Sequence, residues 1–221
     1  MSGTKKYSLF LNNKYTRKDN IFCHAASRGT IKIAVDGGIR YFLKNKTTPD
    51  LMVGDFDSSP KLSRKYLSKI EVVRYSPEKD KTDSHLALDL ALKKGAREIR
   101  IFGALSIDET DHTLGNIFLL ELVNRYCQRN NTRVGACILA PGLEIRLLEN
   151  NFVRLIGRKN DYVSVIPLSD QVPVKYKGLR YPAPKRPLIL GDSLSLRNRF
   201  LGKTCEISIK GKAIIVVVRN S

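Results

Sequence analysis

Short apolar runs alternate with helix-like segments over the first two-thirds of the chain, and this alternation restricts the fold more than any other feature. Residues 7–11, 31–35, 51–53, 72–75, 99–102 and 134–139 are rich in β-branched and aromatic side chains and are bounded by polar turns. Such runs fit strands buried in a parallel sheet. Residues 38–45, 60–69, 82–94 and 111–129 between them read as helices. The third is the clearest. Thr82 can cap its N-terminus, and Leu86, Ala87, Leu90 and Ala91 form one apolar stripe. Lys93 and Lys94 complement the C-terminal dipole before Gly95 ends the helix. The pattern predicts an α/β domain with a mostly parallel, doubly wound sheet.

From about Leu143 the helical periodicity disappears while strand-like pieces continue at 152–156, 162–167, 205–209 and 213–218. Turn residues gather at 157–160, 181–184 and 210–212. Short strands at this spacing predict a small all-β sandwich or barrel. No Gly/Ser linker separates the halves, so the boundary is placed between 143 and 152, giving an expected division into 1–145 and 146–221.

The chain carries 39 basic and 21 acidic residues, a formal charge of +18 over 221 residues. A field of that sign concentrates polyanions, and either a nucleic acid or a nucleoside triphosphate would respond to it. The lysines are dispersed along the chain, as on a solvated, soluble surface. Cys23, Cys127, Cys137 and Cys205 are scattered without a Cys-x-x-Cys pair, which predicts reduced thiols rather than zinc ligands or a disulfide framework. No apolar run approaches the ~18 residues that cross a bilayer. The run at 7–11 is too brief for a signal-peptide core. A cytoplasmic protein without membrane contact is expected.

Three clusters of carboxylates and lysines follow predicted strands. Asp36, Gly37 and Gly38 follow the run ending at Val35; Gly54, Asp55, Phe56, Asp57 and Ser58 follow the run ending at Val53. Lys79, Asp80, Lys81, Thr82 and Asp83 lie beyond Tyr75. Ligands of open parallel sheets bind outside the carboxyl ends of the strands, so the three clusters should converge on one edge. Asp55 and Asp57 are two apart, which in extended chain puts both carboxylates on one face, suited to a hard cation such as Mg²⁺. Lysines neutralise phosphate oxygens, and a helix N-terminus at Thr82 offers free N–H groups to anions. Asp83 is equally at home there as an ordinary first-turn acid. No Walker-type Gly-x-x-x-x-Gly-Lys-Ser/Thr and no Gly-x-Gly-x-x-Gly after a strand is present.

These residues, in this order, resemble the thiamine pyrophosphokinase family of bacterial type. The resemblance rests on Asp36-Gly-Gly, Pro49-Asp50, the Gly-Asp-Phe-Asp-Ser of 54–58, the Lys-Asp-Lys-Thr-Asp of 79–83 and the Asp-His-Thr-Leu-Gly-Asn of 111–116. It extends through 166–168, 178–182 and 193–200 and so covers nearly the whole chain. It implies an α/β domain holding ATP and Mg²⁺, a β-sandwich that binds thiamine, and a homodimer. Asp55, Asp57 and Asp83 would position Mg²⁺ and the reacting groups, with Lys81 beside them. Asp36, Gly37, Gly38, Asp80, Thr82, Asp111, His112 and Asn116 would line the nucleotide side, and Ser195 and Asn198 would cradle thiamine. The thiamine hydroxyl would attack the β-phosphorus of ATP, with Asp83 or Asp57 accepting its proton and AMP leaving.

Two segments depart from the family pattern. Residues 103–112 are one residue longer than the usual Gly-Ala-x-Gly-Gly-Arg-x-Asp-His and offer Asp108 and Glu109 in place of Gly-Gly and Arg. Arg197 and Arg199 flank Asn198 where Ser and Glu are usual. These departures keep open an altered donor or acceptor, or binding alone. A nucleic-acid-binding module is the further alternative raised by the charge, though no RNA- or DNA-reading motif is present. His112 can also be a simple polar first-turn residue, and His24 and His85 are expected at the surface.

Overall fold

Alternate residues of each early strand face opposite sides, and both sides are apolar. The structure, a computed structural model, describes residues 5–16, 29–76, 78 and 80–220. Cys23, His24 and Lys79 therefore lie outside the described residues. The chain divides into two compact units, Met1–Pro141 and Gly142–Ser221. The expected division at 145/146 would fall within β7 (Leu143–Glu149).

In the first unit β1 (Lys6–Phe10), β2 (Thr30–Val35), β3 (Leu51–Gly54), β4 (Glu71–Arg74), β5 (Glu98–Phe102) and β6 (Gly135–Ala140) pair in the order β6-β5-β1-β2-β3-β4. Every pair is parallel. The helices are α1 (Ile39–Lys44), which follows a 3-10 turn at Asp36–Gly38, then α2 (Arg64–Leu67), α3 (Asp83–Lys93) and α4 (Thr110–Arg129). One register row places Phe10 beside Ala34 and Phe102, with Met52 next to Ala34. Those side chains pack with Ile39, Tyr41 and Phe42 of α1, the Phe10 ring lying 4.4 Å from Tyr41 and 4.8 Å from Phe42 and Phe102. The alternate residues Leu9, Ile33, Val35, Val53 and Ile101 are fully or nearly buried on the other face. There α3 packs over β1, β2 and β3 and touches α4. The sheet is doubly wound, as the sequence pattern predicts.

Three local expectations change. The buried face of α3 is Ala87, Leu88, Ala91 and Leu92, with Leu86 and Leu90 only half-buried, so the stripe is rotated from the expected one. A helix laid flat on a sheet needs a broad apolar face, and this helix is apolar over more than one stripe. The helix expected over 60–69 contracts to the single turn of α2, capped by Ser63, which accepts a bond from the Tyr66 N–H at 3.2 Å. Only Leu62, Tyr66 and Leu67 reach the core, too little to hold a longer helix. The run at 72–75 is an edge strand, not a buried one, and Val72 is 44% exposed.

The ends of α3 follow from its sequence. Thr82 accepts a bond from the His85 N–H at 3.3 Å. At the other end Gly95 has a φ of 85°, while the Gly95 and Ala96 N–H groups reach back to the carbonyls of Leu92 and Ala91. This is the six-to-one closure that glycine permits. Thr82→Ala should cost about 1 kcal/mol. Thermal unfolding would register that as a drop of roughly 2–4 °C.

The second unit holds two antiparallel sheets, β11 (Asn198–Arg199)-β9 (Tyr162–Pro167)-β13 (Lys212–Val218)-β7 and β10 (Val174–Lys177)-β12 (Thr204–Ile209)-β8 (Phe152–Ile156). Their inward residues, among them Leu155, Val163, Val165, Ile207, Ala213 and Ile215, share one core, which makes the unit a β-sandwich. The sequence pattern does not predict strands β7, β10 and β11. The last two are short, and β7 reads Leu-Glu-Ile-Arg-Leu-Leu-Glu, with adjacent leucines that break the two-residue alternation. Cys137 and Cys205 are buried, and burial pushes the Cys205 thiol up to about 12. They are inert apolar fillers, as the cysteine spacing predicts.

Candidate active site

Parallel pairing of β2 with β3 puts Val35 opposite Val53, so the residues just beyond each strand meet at the carboxyl edge of the sheet. Asp36, Asp55 and Asp57 converge there, each offering a carboxylate oxygen within 4.8 Å of the others. Asp36 is 8% exposed and adopts a φ of 46°, an uncommon conformation for a residue other than glycine. Its Oδ2 accepts a bond from the Ser58 hydroxyl, and its Oδ1 is buried with no partner. Ser58 in turn accepts from Asn12 Nδ2 at 3.4 Å. Arg40 binds Asn12 Oδ1 at 2.9 Å and the Ser58 carbonyl, tying β1, α1 and the loop after β3 together. Arg74 lies over the Phe56 ring at 5.0 Å and donates to the Asp55 carbonyl at 3.4 Å, fixing the backbone between the two aspartates.

Three carboxylates this close repel one another, and a buried carboxylate oxygen without a hydrogen bond is costly. Oxygen donors in such a set suit a hard divalent cation. Asp83 does not belong to this triad. It lines an adjoining cavity of about 210 Å³ with Asn12, Asp36, Thr82, Glu109 and His112.

Several sequence-derived candidates gather beside that cavity. Asp80, Lys81, Thr82, Asp111, His112 and Asn116 line a groove of about 450 Å³ at the N-termini of α3 and α4. Lys81 is engaged with Asp89 at 2.6 Å. His85, partly exposed, lines the groove as well, 3.7 Å from Asp89. Burial holds its imidazole below the ordinary value; Asp89 opposes that shift and Lys81 adds to it. Asp111 accepts a bond from the His112 N–H at 2.9 Å, and Asn116 donates to the Ala104 carbonyl at 3.2 Å. Gly37 and Gly38 are buried in the turn behind Asp36, where their missing side chains let that turn meet Asn12 and the Phe10 carbonyl. Asn12 and Arg40 carry no signal that singles them out in the sequence, and Ser58 and Glu109 appear there only as parts of a motif and of a departing loop. Asn12 shares with the aspartates only its position just past a strand.

The match to known proteins runs the length of this arrangement. The family model described as thiamin pyrophosphokinase, catalytic domain, matches residues 22–133, and that of the vitamin B1 binding domain matches residues 149–214. The thiamine pyrophosphokinase of Bacillus subtilis is 30% identical over 196 residues, covering 87% of this chain and 88% of its own. The chain belongs to the thiamine pyrophosphokinase family. A crystal structure of the B. subtilis protein superimposes with a TM-score of 0.82 at 26% identity, covering 98% of this chain and 100% of that one. The thiamin pyrophosphokinase of Candida albicans shares the fold at a TM-score of 0.80 and 18% identity, covering 98% and 90% of the two chains.

Where this chain departs from the thiamine pyrophosphokinase pattern, the structure shows what holds the departing segment. Asn13 Nδ2 donates to the carbonyls of Gly103 and Leu105 at 3.0 and 2.7 Å. Thr113 exchanges bonds with the backbone of Ser106 at 2.8 and 2.7 Å. Asp108 is paired with Lys14 at 2.7 Å, so one of the two extra anions is balanced by a local cation. The pair rims a cleft of about 810 Å³ that also takes in Arg40, Lys44 and Glu109.

In the second unit Ser195 and Asn198 are 6% exposed. Ser195 donates its hydroxyl to the Val165 carbonyl. Asn198 accepts from the N–H groups of Tyr181 and Arg199 at 3.0 and 2.8 Å and donates to the Tyr181 carbonyl at 2.9 Å. Both side chains bond to backbone and so fix the local segment.

Proposed function

We propose that the protein transfers the pyrophosphoryl group of ATP to the hydroxyl of thiamine, giving thiamine diphosphate and AMP. The observation that carries this reading is the meeting of Asp36, Asp55 and Asp57 at the carboxyl edge of the sheet, with Asp36 Oδ1 buried and unpartnered. Those residues fit Mg²⁺: all donors are oxygen, their charge calls for a cation, and the unpartnered oxygen is satisfied by one. Asp36, Asp55 and Asp57 would hold the ion. Bound there, it would neutralise the oxygens of the transferred group.

The chain's own residues supply position and proton acceptance. Thr82, Asp83 and Ser84 at the start of α3, an 11-residue helix, line a cavity with Asp36, and a helix N-terminus favours phosphate oxygens. His112 and Asn116 border the same cavity from α4. The thiamine oxygen forms a bond to the β-phosphorus while the bond from that phosphorus to the oxygen bridging the α-phosphorus breaks, and AMP keeps the bridging oxygen. Asp83 receives the hydroxyl proton, with Ser195 and Asn198 shaping the thiamine side. The enzyme acts as a homodimer in the cytoplasm on this reading; no helix among the described residues is long and apolar enough to cross a membrane.

Purified protein incubated with thiamine, ATP and Mg²⁺ should yield thiamine diphosphate and AMP in equal amounts by chromatography. Thiamine monophosphate with ADP, or no product, refutes the proposal. Ser58 is the support of Asp36, and losing such a support weakens metal sites by roughly 10- to 100-fold. Ser58→Ala should therefore raise the Mg²⁺ concentration for half-maximal activity by about that factor, read from a Mg²⁺ titration at saturating ATP.

A further inference from the structure

Arg180, Arg197 and Arg199 stand apart from four of the five other arginines of the second unit. Arg146, Arg154, Arg186 and Arg219 each pair with a carboxylate at 2.5–3.3 Å. No carboxylate lies within ion-pair distance of Arg180, Arg197 or Arg199 among the described residues. They are gathered on aromatic rings instead: Arg197 lies 3.9 Å and Arg199 5.1 Å from the centre of the Tyr162 ring, and Arg180 lies 5.8 Å from that of Tyr181.

The backbone builds this group. Arg199 is opposite Tyr162 in the β11–β9 pairing. Asn198, between the two arginines, is buried and clamps Tyr181 through both its amide groups. Arg180 donates its N–H to the Arg199 carbonyl at 2.8 Å. Arg197 takes a φ of 56°, and its N–H is held by Ser164 Oγ at 2.9 Å. Two guanidiniums on one ring repel each other, and a ring quadrupole returns only part of that cost. The same two cations hold the Tyr162 phenol below its ordinary value, Arg197 by hydrogen bonding and Arg199 by charge. A planar guanidinium fork with no carboxylate partner matches phosphate oxygens in geometry and sign.

We propose that Arg197 and Arg199, seated on Tyr162 with Arg180 alongside, form a receptor for the phosphate groups of a small phosphorylated molecule. The exposed Tyr181 ring beside Arg180 gives the organic part of such a ligand a surface to stack on. The receptor uses no residue of the carboxylate site, and its test does not depend on the transfer reaction.

The test is calorimetric titration of the full chain with inorganic pyrophosphate, without Mg²⁺ and with a chelator present. Saturable one-site binding is expected, weakened at least tenfold in Arg197→Gln/Arg199→Gln. Lys175→Gln/Lys177→Gln removes the same charge from exposed β10 positions and should leave the affinity within twofold. Circular dichroism and a melting curve confirm that both variants are folded. Thiamine diphosphate and inorganic phosphate as further titrants separate a phosphate ester from the free ion: tighter binding of the ester, lost in the arginine variant, supports the receptor as drawn. Binding of inorganic phosphate alone overturns the assignment to a phosphorylated molecule. No saturable binding, or equal weakening in both variants, overturns the receptor. Tighter binding of a single-stranded oligonucleotide with a steep salt dependence, equally weakened by both variants, assigns the charge to a nucleic acid instead.

Discussion

Asp55→Asn should lower the rate of thiamine diphosphate formation by about a hundred- to a thousandfold while leaving the metal-free protein as stable as the parent chain, or more stable. The rate follows from the place of Asp55 in the triad: removing a group that holds charge opposite a transferring phosphate typically costs two to three powers of ten. The stability follows from the same geometry with the sign reversed. Without a cation, Asp36, Asp55 and Asp57 repel one another across no more than 4.8 Å. An amide of the same shape removes part of that repulsion. Mg²⁺ should raise the melting temperature of the parent chain, because a ligand that binds only the folded state stabilises it by mass action. The rise should be largely lost in the variant. Melting curves with and without Mg²⁺, run beside the activity assay, check both halves. An Asp55→Asn protein that is inactive but still shows the full Mg²⁺-dependent rise would remove Asp55 from the metal site. Retained activity would remove it from the reaction.

Much of this arrangement can be read from the amino-acid order, and the part that cannot has identifiable physical causes. The strands of the first unit are legible because a sheet covered on both faces leaves short continuous apolar runs; only β4, at the edge, fails to be buried. The aspartates after β2 and β3 are legible as a site because they follow strands. Their grouping depends on strand order, which local pattern does not reveal. Asp36 therefore reads as a nucleotide contact and Asp83 as a metal ligand, whereas the pairing of Val35 with Val53 brings Asp36 to Asp55 and Asp57. Lys81 reads as a phosphate contact, but Asp89, two turns along α3, engages it, and no motif signals that. In the second unit β11 has two residues and exists because Asn198 and Arg199 pair with Val163 and Tyr162, a contact no short window of sequence contains. The arginines at 197 and 199 are visible in the sequence as departures from the family pattern. Their shared seat on Tyr162 is visible only in the fold.

Gly38→Ala should destabilise the protein by about 3 kcal/mol or more, the upper range for forcing an extra carbon into a packed interior. A Cβ at this position would run into the carbonyl oxygen of Phe10 and lie 2.7 Å from its carbonyl carbon. Neither atom can move aside as a flexible side chain would. Phe10 is at the end of a strand paired on both sides, with β2 and with β5. Relief must come from the other partner, the turn at Asp36–Gly38 that leads into α1. Moving that turn pulls Ile39, Tyr41 and Phe42 off the Phe10 ring, and it displaces Asp36 from Asp55 and Asp57. Stability and activity should therefore fall together, unlike in Asp55→Asn, where only activity falls. Gly115→Ala, on α4 with open space around its α-carbon, is the matched control. It should be neutral or gain up to about 1 kcal/mol from helix propensity. Denaturant unfolding of the two variants measures the contrast. If Gly38→Ala unfolds at the parent's midpoint and keeps full activity, the close approach of the turn to β1 is not what positions Asp36.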